Sequence, residues 1–600
     1  MKAIIHATMA AILAIGMGAS RPAVYAADAP QEDLAASGIA WHTWSPAAFD
    51  EAKRDHKLVL LHLGAGWCHW CHVMEHVTYR DAEVDKVLRE HFVAIHVDQD
   101  SRPDLANRYE DYGWPATILF DANGRELVKW QGYIPPERMR ALLEATVKDP
   151  TPGPSALRTA TQDHDASSTL NATLRAQLEQ QMVDRYDEKQ AGWGTVHKYL
   201  TWDILEYEMN RARAGDTAAA DRARATLKAA QNLIDPAWGG LYQYSTDGDW
   251  VHPHFEKIMQ FQAEGMRIYT QAYSLWHDPA DLKAAMDIDH FLMTFLTSPD
   301  GSFYTSQDAD VVPGEHSADY FALGDAERRK IGLPRLDRHV YARENAWAIR
   351  GLTALYDATG ESTYLQRAER AEAWVREHRA LGDGFRHDET DTAGPFLGDT
   401  LAMAQAELAL FQATASREYL AHSEAAIRFI DARFRSADGT GYLTAQQADV
   451  VAPTPEFDEN VATVRLANLL YHYTGKSEFK EIAERAMRFV ISSAASPSHE
   501  PGAMLLADEE LSHDPTHIAI LAAEDDPIGL ALYRTALTAG VPYLRIEMIA
   551  PKGAAPLRTD VQYPSLDHPA AFLCTNGACS APVNNVEALQ LVIARRINHD

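Results

Sequence analysis

The sequence predicts a multidomain protein that joins an N-terminal α/β domain, a long all-α region and a small α/β appendage. Its 600 residues exceed the length of one ordinary compact domain, and 46% of them are hydrophobic, so several cores can form. Residues 45–148 alternate helix and strand patterns, whereas residues 169–500 carry apolar side chains at helical spacing. Glycine–aromatic segments interrupt this helical region repeatedly, which is typical of stacked helical hairpins.

The first domain begins with a helix that Ser45 can cap. The apolar run at 57–64 predicts a strand, and a second strand is predicted over residues 93–98. A further strand follows Pro115, and Asn123-Gly124 predicts the hairpin turn after it. This alternation of helices and strands predicts an α/β domain.

A Cys-x-x-Cys motif follows the first strand, where a helix begins. A Cys68 thiolate would be stabilised by the positive end of the helix dipole, and by His69 when that side chain is protonated. The motif predicts Cys68 as the exposed nucleophile and Cys71 as the buried partner that resolves the mixed disulfide. Pro115, preceded by Trp114, is expected to be a cis proline facing the pair. This order of elements resembles the thioredoxin fold.

Two other interpretations of the cysteine pair stay open: half of a zinc site, or a purely structural disulfide. No second Cys-x-x-Cys or His-x3-His has the standard spacing, so a redox dithiol is favoured and no cofactor is expected. A zinc site at Cys68 and Cys71 would draw on the histidines close to them in sequence: His62, His69, His72 and His76.

Three segments of the first domain resemble the spermatogenesis-associated protein 20-like thioredoxin family, also called domain of unknown function 255. They are "CHWCHVMEH", "DAEVDKVLREHFVAIHVDQDSRPDL" and "GWPATILFD". The stretch "GAGW" before the first cysteine departs from that family and is more similar to ordinary periplasmic thioredoxin-like proteins.

The helical region is predicted to be an (α/α)6 toroid, in which hairpins stack and close into a ring. Its glycine–aromatic segments would then collect on one face and surround a cleft with aromatic, acidic and histidine side chains. These segments are "GWG" at 192, "GGLYQY" at 239, "GSFYTSQDAD" at 301, "GDGFRHDE" at 382 and "GTGYLTAQQAD" at 439.

The family resemblance continues through "HFEK", "SQDAD" and "FLCTNGACSAPV". It implies a thioredoxin-like domain paired with a toroid similar to six-hairpin glycosidases and N-acylglucosamine 2-epimerases. Two segments depart from the family: "AGWGTVHKYL", which keeps Lys198, and "RENAW" at Arg343–Trp347. The cleft is therefore expected to differ from that of the relatives.

Acidic residues and histidines near the predicted loops are candidates for chemistry in the toroid cleft. Sugar hydrolysis needs a carboxylic acid and a carboxylate across the scissile bond, and epimerisation needs an acid and a base with tuned pKa values. The same side chains can instead cap helices or form buried polar pairs. The candidates are His252, His254, Glu256, Asp308, Asp310, Glu344 and Asp399.

The predicted domains are a signal peptide at 1–26, the thioredoxin-like domain at 27–149, a linker at 150–168, the toroid at 169–500 and the appendage at 501–600. Lys2, an apolar run and a small-residue cleavage site at residue 26 predict export, and hence a protein that is soluble in the periplasm or secreted. Disulfides persist in such a compartment. The appendage carries the second cysteine pair, Cys574 and Cys579, at a spacing that permits a local disulfide.

Charge narrows the choice of partners. With 55 basic and 85 acidic residues the net charge is −30, which disfavours nucleic-acid binding.

The main hypothesis is an exported thiol-disulfide oxidoreductase that exchanges with a protein thiol or disulfide, while its toroid binds a partner or a glycan. The alternatives are a carbohydrate-active toroid, hydrolase or epimerase, with an accessory thioredoxin-like domain, and a metal-binding module.

Overall fold

The computed structural model describes residues 38–155, 167–391, 393–447, 449–494, 496, 499–550, 556–558, 561–575 and 578–597. The predicted signal peptide and most of the predicted linker lie outside these residues. Among the described helices, none is both long and apolar enough to span a bilayer.

The first domain is a five-stranded sheet with helices on both faces. The strands are β1 Trp41–His42, β2 Leu58–Gly64, β3 Phe92–Asp98, β4 Ala116–Phe120 and β5 Glu126–Gln131. The strand order is β1-β3-β2-β4-β5, and β1, β3 and β2 are parallel, whereas β4 and β5 are antiparallel to their neighbours. The α-helices are Pro46–Arg54, His69–Val73, Ala82–His91, Pro103–Tyr109 and Pro136–Lys148, and a π-helical turn, Met74–Thr78, follows the second of them.

Local sequence explains these elements. The Ser45 side chain accepts a hydrogen bond from the Ala48 N–H and caps the first helix as expected. Strand β2 is apolar along nearly its whole length because helices cover both of its faces. Gly124 takes a positive φ of 83° in the turn between β4 and β5. The α/β fold class of this domain is confirmed.

Twelve helices form the predicted ring of hairpins. Six inner helices each pack on the next, and the last packs on the first: Trp202–Arg213, Met259–Trp276, Ala342–Thr359, Leu397–Thr414, Phe457–Thr474 and Pro501–Ser512. Each inner helix packs on one of six outer helices: Ala172–Asp184, Thr217–Ala230, Pro279–Phe291, Ser362–Arg379, Arg417–Arg433 and Ser477–Ser492. The packing of these inner and outer helices confirms the predicted (α/α)6 toroid.

Ring closure corrects one predicted boundary. The last inner helix, Pro501–Ser512, lies beyond the predicted end of the toroid at residue 500 and pairs with the first outer helix, Ala172–Asp184. Because the hairpin that closes the ring joins the two ends of this region, no local sequence repeat marks it. Backbones approach closely here: a Cβ on Gly502 would lie 2.7 Å from the Cα of Ile204.

Each of the five glycine–aromatic segments precedes an inner helix, so all five lie at the same end of the ring. Alternating antiparallel hairpins make all inner helices parallel, and their N-terminal ends face the first domain. This end also holds short strands and helices: Tyr244–Ser245, Pro253–His254, Lys257–Ile258, Ser306–Gln307, Leu336–Asp337, Ala380–Leu381, Gly384–Phe385, Ala318–Phe321 and Asp325–Ile331.

The C-terminal appendage is a four-stranded sheet at the opposite end of the ring. The Gln412 amide, near the C-terminal end of an inner helix, donates to the Leu544 carbonyl over 2.7 Å. In spatial order the strands are Leu544–Ile549, Thr516–Leu521, Ala570–Thr575 and Ala578–Cys579, accompanied by helices Pro527–Thr538 and Val586–Ile597.

Candidate functional site

The cysteine pair occupies the position that the sequence predicts. Cys68 is the N-cap of helix His69–Val73, and its Sγ accepts a hydrogen bond from the Cys71 N–H over 3.2 Å. The two sulfurs are bonded to each other, and the Trp114–Pro115 peptide is cis. An N-cap sulfur that accepts a hydrogen bond from a backbone N–H favours the thiolate once the pair is reduced.

The ring covers this dithiol, which the sequence did not predict. Cys68 is only 4% exposed and Cys71 is fully buried. Both pack in one apolar cluster with Ile258 and Phe261 of the ring, together with Trp67 and Trp114 of their own domain. The expected exposed nucleophile is thus enclosed by residues more than 180 positions away in the chain.

The two histidines of the motif pair with carboxylates of the ring. His69 Nδ1 lies 2.8 Å from Asp310 Oδ1, and His72 Nε2 lies 3.1 Å from Asp308 Oδ2. The backbone N–H of His69 donates to Glu256 Oε1 over 3.4 Å. We call this contact region the dithiol seam: Cys68, His69, Cys71 and His72 of the first domain with Glu256, Asp308 and Asp310 of the ring.

Electrostatics within the dithiol seam favour a cationic His72. Burial disfavours the charged imidazole, but the hydrogen bond with Asp308 and the charges of Asp308, Glu75 and Asp310 outweigh it and raise the pKa of His72 to about 9. At neutral pH the His72–Asp308 contact is therefore a buried ion pair between the two domains.

Further contacts hold the first domain on the ring. The Ala309 N–H donates to the Trp67 carbonyl over 3.1 Å. His387 lies 2.9 Å from Asp399 through Nδ1, and its Nε2 donates to the Asp100 carbonyl over 2.6 Å. Burial opposes the charged form of His387, but Asp399 raises its pKa to about 9, so both ring nitrogens carry protons at neutral pH.

Most of the predicted cleft residues do not line the cavity of the ring, which corrects their assignment as one group. Glu256, Asp308 and Asp310 lie in the dithiol seam, because the loops before the inner helices meet the first domain there. Asp399 binds His387 and the Arg343 N–H instead.

The two predicted histidines also lie outside the cavity. His254 stacks on Tyr244 with ring centroids 4.6 Å apart, and its Nδ1 lies 3.5 Å from Glu256. His252 is largely exposed, and its Nδ1 lies 2.8 Å from Asp249. Of the predicted cleft residues, only Glu344 lines the cavity.

The ring encloses a cavity of about 720 Å³, which we call the ring cavity. The inner helices form its wall, Trp67 and Trp114 contribute at the end near the first domain, and Tyr543 contributes at the end near the appendage. Trp67, Trp114, Ile258 and Phe261 therefore have a double role, since they line the ring cavity and also pack against the cysteines.

Carboxyl groups in the ring cavity are held in different protonation states. Burial and the charges of Glu456 and Glu500 raise the pKa of Asp458 to about 8, and burial together with the charge of Asp458 raises that of Asp203 to about 7. Glu206 is also buried, but Arg267 and Arg465 outweigh burial and hold its pKa well below the usual range. A neutral acid and an ionised carboxylate thus share one cavity.

Sequence reasoning missed Asp203, Glu206 and Asp458. A signal was present, since Asp203, Glu344 and Asp458 all lie in the first turn of an inner helix. Parallel inner helices bring such positions together at one end of a ring. Using this signal requires helix boundaries and the distinction between inner and outer helices, which a single sequence gives poorly.

The second cysteine pair lies on the appendage. Cys574 and Cys579 are cross-strand partners in a hairpin, and their sulfurs are bonded. Cys574 is buried and Cys579 is exposed. The appendage and the dithiol seam lie at opposite ends of the ring, so this pair is remote from Cys68.

Fold and site together define a thioredoxin-fold domain seated by its Cys-x-x-Cys face on an (α/α)6 ring. Residues 31–147 match the family described as Thioredox_DsbH, protein of unknown function, DUF255. The resemblance indicated by the sequence motifs is thus confirmed for the first domain.

Two kinds of relatives share sequence with the chain. Spermatogenesis-associated protein 20 of Mus musculus is 28% identical over 311 residues, which are 46% of this chain and 39% of that protein. The chain therefore matches well under two thirds of that relative's length. An uncharacterised protein of Caenorhabditis elegans is 22% identical over 588 residues, covering 75% of this chain and 80% of that protein.

Solved structures with a similar ring include cellobiose 2-epimerase from Bacillus thermoamylovorans B4167. The two sequences are 12% identical and the TM-score is 0.45. The alignment covers 57% of this chain and 99% of the epimerase chain. A D-mannose isomerase is also 12% identical with a TM-score of 0.45, over 57% of this chain and 98% of its own.

Proposed function

We propose that the protein is a thiol-disulfide oxidoreductase whose redox centre is the Cys68–Cys71 pair. The observation that carries this proposal is the position of Cys68 at the N-cap of a helix, with its Sγ accepting the Cys71 N–H. Backbone N–H groups aimed at a sulfur stabilise the thiolate, which is the form that attacks and leaves in disulfide exchange.

The exchange proceeds in two steps. In the reduced protein the Cys68 thiolate attacks one sulfur of a substrate disulfide, forming a mixed disulfide and expelling the other substrate sulfur as a thiolate. Cys71, after losing its proton, attacks Cys68 Sγ, which forms the Cys68–Cys71 disulfide and releases the second substrate thiol. The protein loses two electrons and the substrate gains them; oxidation of a substrate dithiol is the reverse.

Access to the sulfur depends on the ring. Ile258 and Phe261 pack over the pair, so a substrate reaches Cys68 only when this apolar layer moves. The layer also forms part of the wall of the ring cavity, and a ligand there would contact it directly. In this proposal the ring binds a partner segment or a glycan and thereby controls access to the dithiol.

Export to the periplasm belongs to the same proposal. Its support is the N-terminal pattern of one lysine, an apolar run and a small-residue cleavage site. An oxidising compartment also suits two bonded cysteine pairs.

Exchange assays with substitution of each pair test the redox proposal. Cys68→Ser is expected to abolish exchange with glutathione disulfide, because serine is not a nucleophile at neutral pH. Cys71→Ser should accumulate the mixed disulfide on Cys68, visible by mass spectrometry. The matched control is the Cys574→Ser/Cys579→Ser double variant, which should exchange like the wild type. Equal exchange by Cys68→Ser and wild type would overturn the proposal.

A second candidate function is carbohydrate chemistry in the ring cavity. It is favoured by the neutral Asp458 and the ionised Glu206 in one aromatic-lined cavity, because glycoside hydrolysis requires a carboxylic acid and a carboxylate. The first domain would then be an accessory that closes one end of the cavity.

A glycan panel tests this second candidate. A bound sugar should raise the melting temperature of the wild type, and Asp458→Asn or Glu206→Gln should abolish turnover of that sugar. Glu481→Gln, an exposed carboxylate on an outer helix, is the control and should have no effect. If no sugar in the panel shifts the melting temperature, the candidate should be abandoned.

A further inference from the structure

Two histidines lie side by side beneath the dithiol. His62 on β2 and His96 on β3 are register partners in the parallel sheet, so their side chains point to the same face. Neighbouring strands are about 4.8 Å apart, which places two imidazoles within reach of one common ion. Glu75 lies on the π-helical turn after the Cys-x-x-Cys helix, and its carboxylate contacts both imidazoles.

The ligand atoms have the separations of a small coordination polyhedron. His62 Nε2 lies 3.4 Å and His96 Nε2 lies 3.7 Å from Glu75 Oε1. Ligands bound tetrahedrally to zinc at about 2.0–2.1 Å are separated from each other by about 3.3 Å. One ligand atom from each of His62, Glu75 and His96 lies within 4.8 Å of the other two.

Burial makes this group costly without a ligand. The side chains of His62 and Glu75 are fully buried, and that of His96 is 19% exposed. Within the part of the chain that the structure describes, three polar atoms of the group have no hydrogen-bond partner: His62 Nδ1, Glu75 Oε2 and His96 Nε2. Each unsatisfied buried polar atom costs about 1–3 kcal/mol in general, and a cation held by His96 Nε2 and by both Glu75 oxygens would satisfy the last two.

The surroundings fit a metal centre in one further respect. Strand β2 ends at Gly64, where a Cβ would lie 3.3 Å from His62 Nε2 and 3.5 Å from Cys71 Sγ. The missing side chain therefore leaves room beside the imidazole.

We propose that His62, Glu75 and His96 bind a divalent first-row transition-metal ion, with zinc as the ion that fits best. The imidazole and carboxylate donors match the preference of zinc. The site differs from a zinc site at Cys68 and Cys71, because it uses no cysteine and is available while the two sulfurs are bonded.

Metal analysis of the full chain tests this site. The protein is treated with a chelator, incubated with zinc sulfate and desalted. Its zinc content is then measured by inductively coupled plasma mass spectrometry. About one zinc per chain is expected for the wild type and for the Cys68→Ser/Cys71→Ser variant, because the cysteines are not ligands. Stoichiometric loss of zinc in the cysteine variant would overturn the proposal.

Variants of the ligands provide the matched comparison. The His62→Gln/His96→Gln double variant should retain less than about a fifth of the zinc, since two of the proposed ligands are gone. His91→Gln, an exposed histidine of the same domain, should bind like the wild type. Zinc should raise the melting temperature of the wild type and of His91→Gln but not that of the double variant. Equal zinc in all three proteins would contradict the assignment.

A measurement on the wild type keeps the proposal testable if the double variant does not fold. X-ray absorption at the zinc edge should show only nitrogen and oxygen neighbours, with imidazole scattering. Sulfur neighbours would overturn the proposed site. Wild-type protein that holds no zinc would also overturn it and would identify the group as a buried network of histidines and one carboxylate.

Discussion

At the scale of single residues, the double histidine of "CHWCH" is explained by the ring. His69 and His72 are separated by one helical turn, so both face Asp310 and Asp308 across the dithiol seam. The Asp-x-Asp segment of the ring is therefore the counterpart of this motif. Each feature is conspicuous in the sequence, but their partnership spans about 240 residues and appears only in the structure.

The His72–Asp308 pair predicts a specific pH dependence. Because the pKa of His72 is raised from 6.5 to about 9, protonated His72 stabilises the folded protein fully below pH 6.5, and this contribution is lost as pH rises through about 9. Asp308→Asn removes one of the three carboxylates that raise this pKa, so it should cost about 1–3 kcal/mol more at neutral pH than above pH 9. Melting temperatures of the two proteins across this range measure it.

The control for this prediction is Asp319→Asn, an exposed carboxylate in the same region of the ring. It should melt like the wild type at every pH. A difference between Asp308→Asn and wild type that stays constant with pH would show that His72 is not the titrating group.

At the scale of elements, the inner helices connect the two candidate sites. Their N-terminal turns carry the acidic residues of the ring cavity, and the loops just before them carry the residues of the dithiol seam. Helix Met259–Trp276 does both, since Phe261 in its first turn touches the cysteine cluster and lines the ring cavity. This helix is therefore the element through which a cavity ligand would affect the dithiol.

Removing the cover of the dithiol should increase its reactivity. Phe261→Ala opens the apolar layer over Cys68, so the reduced protein should react with iodoacetamide about tenfold faster at Cys68 than the wild type. Peptide mass spectrometry after timed quenching gives the rate at each cysteine. The matched control is Phe429→Ala, a half-buried phenylalanine on an outer helix, which should leave the rate at Cys68 unchanged.

Closure of the ring depends on a close helix contact at Gly502. A Cβ there would lie 2.7 Å from the Cα of Ile204, which is backbone and cannot move aside alone. Gly502→Ala should destabilise the protein by about 1–3 kcal/mol through overpacking, although alanine favours the helix. Chemical denaturation measures the loss. Gly324→Ala, whose Cβ would meet only the Glu327 carboxylate, is the control and should cost little.

At the scale of the whole molecule, the three regions are arranged along the axis of the ring. The first domain sits at the N-terminal end of the inner helices and the appendage at the opposite end, and both contribute to the wall of the ring cavity. Any ligand of the ring cavity is thus within reach of all three regions. In this arrangement the ring covers the cysteine pair of the thioredoxin-like domain, and that domain closes one end of the ring cavity.

The fold could be predicted from the sequence because its patterns are local. Helical spacing, the strand runs and the turn at Asn123-Gly124 indicated the elements, and five glycine–aromatic segments marked five inner helices. The last inner helix was missed because closure of the ring leaves no local signal. The candidate site was predicted at Cys68 and Cys71, whereas the placement of Asp308 and Asp399 depended on how two domains pack, which no local pattern encodes.

The most direct test of the account is a glutathione redox titration of the purified protein, with alkylation and mass spectrometry for each cysteine pair. We expect the Cys68–Cys71 pair to equilibrate in the folded protein with a potential between roughly −270 and −120 mV, the range of exchange catalysts. A Cys68–Cys71 bond that stays intact at every glutathione ratio until the protein unfolds would contradict a redox function and leave the ring cavity as the functional site.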